Sequence, residues 1–83
     1  MNKFLKVDID KIKSLRISNG LSIEKMSTLL GYESPNGYYY LETGRNNFSA
    51  EKLAMVAGIF GLKIDELFFE KKVAKMANNT ETA

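Results

Sequence analysis

The chain contains no cysteine and no histidine. Those two absences together remove disulfide staples, Cys/His zinc sites, cysteine nucleophiles and every Ser-His or Cys-His arrangement. A chain of 83 residues without staples points to a reducing compartment, so the expected location is cytoplasmic. Long apolar runs are missing as well: no window approaches the roughly 18 apolar residues of a membrane span. The opening residues, Met1-Asn2-Lys3-Phe4-Leu5-Lys6-Val7-Asp8, lack the apolar core of a secretory leader, and no membrane partner is expected. A charge excess of one sign is absent too. Twelve basic and 10 acidic residues leave a net +2, which permits nucleic-acid binding without arguing for it. Nucleophile–base pairs, metal clusters and phosphate-cradling glycine loops are not found, so the chain is expected to be no enzyme and to carry no cofactor or metal. Asp65-Glu66 reads instead as an acidic helix start, favourable to the helix dipole.

What is present suits one small domain. Apolar residues make up 45% of the chain, enough for a compact core, and at this length no separate small-molecule effector domain is expected. Caps and glycines divide the sequence into five helical segments. The first runs over residues 8–18, with Asp8 as N-cap, Ile12 and Leu15 on one face, and Asn19-Gly20 as its stop. Ser22 caps the second, whose stripe is Met26, Leu29 and Leu30 and whose end is Gly31. Ser34-Pro35 opens the third, which continues through Tyr38, Tyr39, Tyr40, Leu41 and Glu42 to Thr43-Gly44. Ser49 caps the fourth, with Leu53, Val56, Ala57 and Phe60 at helical spacing before Gly61. The fifth is expected from Asp65 to about Ala77. Sustained alternation is absent, so a sheet is not expected, although Phe4-Leu5-Lys6-Val7 suits a short extended arm. The expected fold is all-α, a compact five-helix bundle. Its expected organisation is an N-terminal arm at 1–7, a domain at 8–77 and a disordered tail at 78–83.

The second segment, the tight turn at Gly31-Tyr32-Glu33 and the short third segment make a helix-turn-helix unit, whose second helix suits a major groove. The pieces Ile12-Lys13-Ser14-Leu15-Arg16, Leu29-Leu30-Gly31, Leu41-Glu42-Thr43-Gly44-Arg45 and Gly61-Leu62 followed by Asp65-Glu66-Leu67-Phe68 then carry a specific likeness. In combination they resemble the phage repressor and Cro family of XRE-type helix-turn-helix regulators, over residues 9–69. The resemblance implies a lambda-repressor-like domain that binds double-stranded DNA and regulates transcription, most often by repression. It also implies an ion pair between Arg16 and Glu42; the bland alternative is two solvated surface charges. Tyr38 and Leu41 are expected to face the core. Pro35, Asn36, Gly37 and Tyr40 are then the expected base-contacting set, with Asn36 foremost because its amide can bond bidentately to adenine. Ser22, the amide of Ile23, Tyr39, Thr43, Arg45, Asn46 and Asn47 are expected at the DNA backbone. Packing alone for Tyr39 and Tyr40, and simple turn formation for Asn46-Asn47, are the competing readings.

The chain departs from the family pattern at several positions. Ile23 stands where glutamine is common, the turn through Tyr32-Glu33 is one residue longer, Pro35 and Gly37 replace side chains that usually read bases, and Lys63 replaces a capping Ser or Thr. Phe69, Val73 and Met76 form a further stripe on the fifth segment. That stripe either folds back on Phe4 and Val7 or makes a homodimer contact; pairing through residues 3–7 is a less favoured route. Dimerisation, at least on DNA, is expected because a lone module of this size buries little surface. The function class kept beside the DNA reader is an antitoxin-like or anti-repressor module, binding protein through Tyr39, Tyr40 and Phe69.

Overall fold

A computed structural model describes the backbone of residues 3–72 and the side chains of residues 5–69. Four α-helices follow one another: α1 (Ile9–Ser18), α2 (Ile23–Leu29), α3 (Asn36–Glu42) and α4 (Ala50–Phe60). Serine and aspartate caps fix three of the four starts. Asp8, Ser22 and Ser49 each accept a hydrogen bond from the backbone N–H three residues on, at 3.1, 2.9 and 3.1 Å. The start of α3 is different. Ser34 makes no cap, and Pro35 holds the cap position with helical angles (φ −61°, ψ −22°). The Tyr38 N–H that a local cap would satisfy is taken by the Ser27 hydroxyl, 3.0 Å away on α2.

Over the described residues, the fifth helix expected from Asp65 is not formed. Ile64–Leu67 makes a single 3₁₀ turn, and Phe68–Lys72 continues as strand β2. β2 pairs antiparallel with β1 (Lys3–Val7), in a register that sets Val7 opposite Phe68 and Lys6 opposite Phe69. The fold is therefore mostly helical with a small two-stranded sheet, and the all-α five-helix expectation is corrected. The 3₁₀ turn leaves Leu67 fully buried while Phe68 packs on the core and Phe69 turns outward, 46% exposed. That alternation belongs to a strand. A backbone bond of 2.8 Å from Asp8 N–H to the Leu67 carbonyl joins the two ends where they meet. Val73 and Met76, expected on the helical stripe, lie outside the described residues, as does the expected tail.

Lys63 starts the 3₁₀ turn without a capping hydroxyl. The Glu66 carboxylate reaches back to its N–H at 3.0 Å, and Lys11 donates to the Glu66 carbonyl at 2.7 Å. The core gathers Ile12 from α1, Met26 and Leu30 from α2, Tyr38 and Leu41 from α3, Leu53, Val56 and Ala57 from α4, and Leu67. Each helix thus buries a narrow stripe and leaves the opposite side to water. Leu29, expected in that stripe, is 39% exposed. No helix among the described residues is long and apolar enough to cross a membrane.

Candidate nucleic-acid interface

α3 has seven residues, and every buried one serves to seat it. Tyr38 is fully buried and Leu41 nearly so. Helical periodicity then turns Asn36, Tyr39, Tyr40 and Thr43 to the other side. Asn36, Tyr39 and Thr43 are exposed and Tyr40 is half-buried. The Tyr39 and Tyr40 rings lie 5.8 Å apart at a tilt of 56°, and the Arg45 guanidinium stands over the Tyr40 ring at 4.7 Å. Tyr40 is thereby held between a neighbouring ring and a cation, while Tyr39 projects further, 49% exposed. The three-residue spacing of Asn36 and Tyr39 sets both on the outward side, as the sequence reading expects.

Gly37 does not belong to that face. A Cβ built there would stand 2.6 Å from the Tyr32 Cβ and closer still to its ring. The missing side chain points back into the turn, so the expectation that set Gly37 among outward positions is corrected. Its smallness serves the packing of Tyr32. Pro35 is exposed just before the helix.

The far end of α3 is held by charge. Arg16 Nε donates to Glu42 Oε1 at 2.8 Å and Arg16 Nη2 to Oε2 at 3.0 Å, while Nη1 donates to the Leu21 carbonyl at 2.8 Å. The Tyr38 hydroxyl donates to Glu42 Oε1 at 2.6 Å. The two charged side chains are only 12% and 8% exposed, so water screens the pair weakly. Burial pushes the Glu42 carboxyl up, but the hydrogen bonds from Arg16 and Tyr38, with the charges of Arg16 and Lys13, outweigh it and hold the group below its ordinary range. The bond to Glu42 raises the Arg16 guanidinium against the opposing effect of burial. Burial first, and the Glu42 carboxylate second, push the Tyr38 hydroxyl well above its ordinary value.

Beyond α3 the chain turns sharply at Gly44 (φ +83°), a conformation that favours glycine. The Tyr40 carbonyl accepts from the Thr43 hydroxyl at 3.3 Å and from the Asn46 N–H at 2.9 Å. Those bonds fix the loop and leave the Arg45, Asn46 and Asn47 side chains exposed. Lys6, on β1, lines a shallow surface hollow with Asn46 and Asn47. No local pattern pointed to Lys6; the sheet brings it there. At the other flank, Ser22 uses its oxygen to accept from the Lys25 N–H, which leaves its hydroxyl proton free, and Ile23 is half-buried.

A helix-turn-helix family model matches residues 12–67, more than half of the chain. The chain belongs to the helix-turn-helix family, of the XRE and Cro-like kind. This family consists of DNA-binding regulators of transcription, and that is the role it assigns to the domain. The matched helix-turn-helix span begins inside α1 and stops at the 3₁₀ turn, so both strands lie outside it. Comparison with curated proteins and with solved structures gives no match.

Proposed function

We propose that this helix-turn-helix domain recognises a specific double-stranded DNA sequence with α3 in the major groove, and represses transcription by occupying an operator. The observation that carries this reading is the outward side of α3, with Asn36 and Tyr39 exposed and Tyr40 half-buried beside them, on a helix whose opposite side is anchored in the core. Asn36, at the start of α3, offers the amide that pairs bidentately with the N6 and N7 atoms of adenine. Tyr40 contributes a base-edge or phosphate contact through its hydroxyl, and Pro35 an apolar contact beside it. Tyr39 joins Asn36 on the groove side and reaches towards the backbone.

The flanks supply phosphate contacts. Thr43, Arg45, Asn46 and Asn47 follow the reading helix, joined by Lys6, while Ser22 and the Ile23 amide act at the start of α2. Neutral amides and hydroxyls bond phosphate oxygens without a strongly basic domain, which agrees with a net charge of only +2. The protein acts as a homodimer, at least on DNA, with its two reading helices about one duplex turn, roughly 34 Å, apart. No chemistry and no cofactor enter this mechanism.

Selection of bound sequences from a random duplex pool tests the reading. A sequence with two related half-sites about ten base pairs apart is expected. Asn36→Ala and Tyr40→Ala should each weaken the preference for it. A pool that stays unselected, with the aromatic face capturing a protein chain instead, would establish the protein-binding alternative.

A further inference from the structure

The turn joining α2 to α3 is held from outside the helix-turn-helix motif. Gly31 enters it with φ +86°, and the Tyr32 N–H bonds the Ser27 carbonyl at 2.9 Å. Ser27, 1% exposed, ties the two ends together. Its hydroxyl donates to the Pro35 carbonyl at 2.9 Å and accepts from the Tyr38 N–H at 3.0 Å. Lys52, on α4, then reaches across. Its ammonium donates to the Leu30 carbonyl at 2.6 Å and lies 4.7 Å from the centre of the Tyr32 ring. The underside of that ring rests on Gly37, where no side chain fits.

The result is a continuous line of contacts from α4, through an ammonium and a ring, to the first turn of α3. Gly37 is the residue next to Asn36. We infer that Lys52 and Tyr32 are positioning residues that set the seat of the N-terminal half of α3, and through it the base preferred by Asn36.

Three features single this arrangement out from ordinary packing. Lys52 is half-buried, and its charge is turned onto a carbonyl and a ring rather than towards water. An ammonium in that place must keep both partners at once, which fixes the ring more narrowly than apolar contact does. The ring in turn meets bare backbone, so its displacement passes directly to the α3 main chain instead of being absorbed by a side-chain rotation. Base readout is sensitive to such shifts, because a bidentate hydrogen bond tolerates only small errors in distance and angle. Contacts to phosphate, made by several flexible side chains, tolerate them better.

This inference rests on the DNA-reading function, and its test separates the two. The measurement is discrimination between the selected duplex and its single-base variants, with affinity for random duplex and the thermal midpoint measured beside it. Lys52→Met keeps the apolar stem and removes the donor and the charge; Lys52→Arg keeps both. Lys52→Met is expected to lower discrimination about tenfold at the base pairs that depend on Asn36, with affinity for random duplex changed less than threefold. Lys52→Arg and Tyr32→Phe are expected to retain it. In an Asn36→Ala background, Lys52→Met should cause no further loss at those base pairs. A folded Lys52→Met protein with unchanged base preference overturns the proposal, as does an equal loss at every position. Should Lys52→Met fail to fold, Lys52→Gln is measured in the same way, and unchanged preference there overturns it equally. A native protein without any sequence preference overturns the function itself and this inference with it.

Discussion

The two ends of α3 are held by opposite kinds of chemistry. At the C-terminal end, Glu42 accepts two bonds from Arg16 and one from Tyr38, with both charged side chains largely covered. At the N-terminal end, a serine hydroxyl, a lysine on a carbonyl and a ring on a glycine share the task. The first end joins two opposite charges; at the second a neutral hydroxyl is backed by a single ammonium on a carbonyl and a ring. In the proposed reading, the ion pair keeps the docking angle of α3, while changes at the turn tune which base it prefers.

The contrast predicts different costs of damage. The largest falls on the ion pair. Arg16→Met leaves Glu42 a buried charge without its partner and should cost about 3 kcal/mol of folding free energy, read from the denaturant midpoint. Adding Glu42→Gln should recover part of that loss, since neighbouring changes do not add. A midpoint shift no larger than that of an ordinary surface substitution would mean that the pair is solvated after all. At the opposite end, Gly37→Ala forces a methyl into the Tyr32 ring and should cost about 1–3 kcal/mol, as overpacking does. Tyr32→Ala in the same chain should relieve it. Ser27→Ala strands the Tyr38 N–H, while the Pro35 carbonyl keeps the Tyr39 N–H at 3.1 Å, and should cost about 1–3 kcal/mol.

Charge also makes the two ends respond differently to pH. The Glu42 carboxyl titrates below its ordinary range when folded. Its stabilisation is therefore in place above the unfolded value of about 4.3, and it is lost as pH falls through the lower folded value. The Tyr38 hydroxyl titrates above its ordinary value of about 10, so its share is complete below that value and is lost as pH rises through the raised folded one. Unfolding measured across pH should show both slopes. Glu42→Gln should flatten the acid limb, and Tyr38→Phe the alkaline limb. Unchanged limbs in both variants would break the comparison.

The same division governs how much the sequence discloses. α1, α2 and α4 are readable because their caps are local: Asp8, Ser22 and Ser49 each bond within their own first turn. α3 takes its cap from Ser27 across the turn, so Ser34 misleads. The last segment is hidden from a local reading for a related reason. Phe69 fits a helical stripe with Val73 and Met76 in the sequence, but the strand partner of Phe68–Lys72 lies at the opposite end of the chain, in Lys3–Val7. Periodicity within a window cannot register a pairing of that range. At the candidate interface, Asn36 and Tyr40 follow from spacing alone, whereas Gly37 requires knowledge of where the Tyr32 ring rests. Lys6 required the sheet.

The smallest expected effect on stability bears most directly on the proposed function. Asn36→Ala touches an exposed position and should change folding free energy by less than about 0.5 kcal/mol. Its effect on recognition can be read atom by atom with a duplex in which each adenine of a half-site is replaced in turn by 7-deazaadenine, which removes the major-groove N7 acceptor. The native protein should lose affinity at one adenine by about 1–3 kcal/mol, and the Asn36→Ala protein should bind both duplexes alike. Equal sensitivity of the two proteins, or no sensitivity at any adenine, would contradict a reading helix that enters the major groove with Asn36 in front.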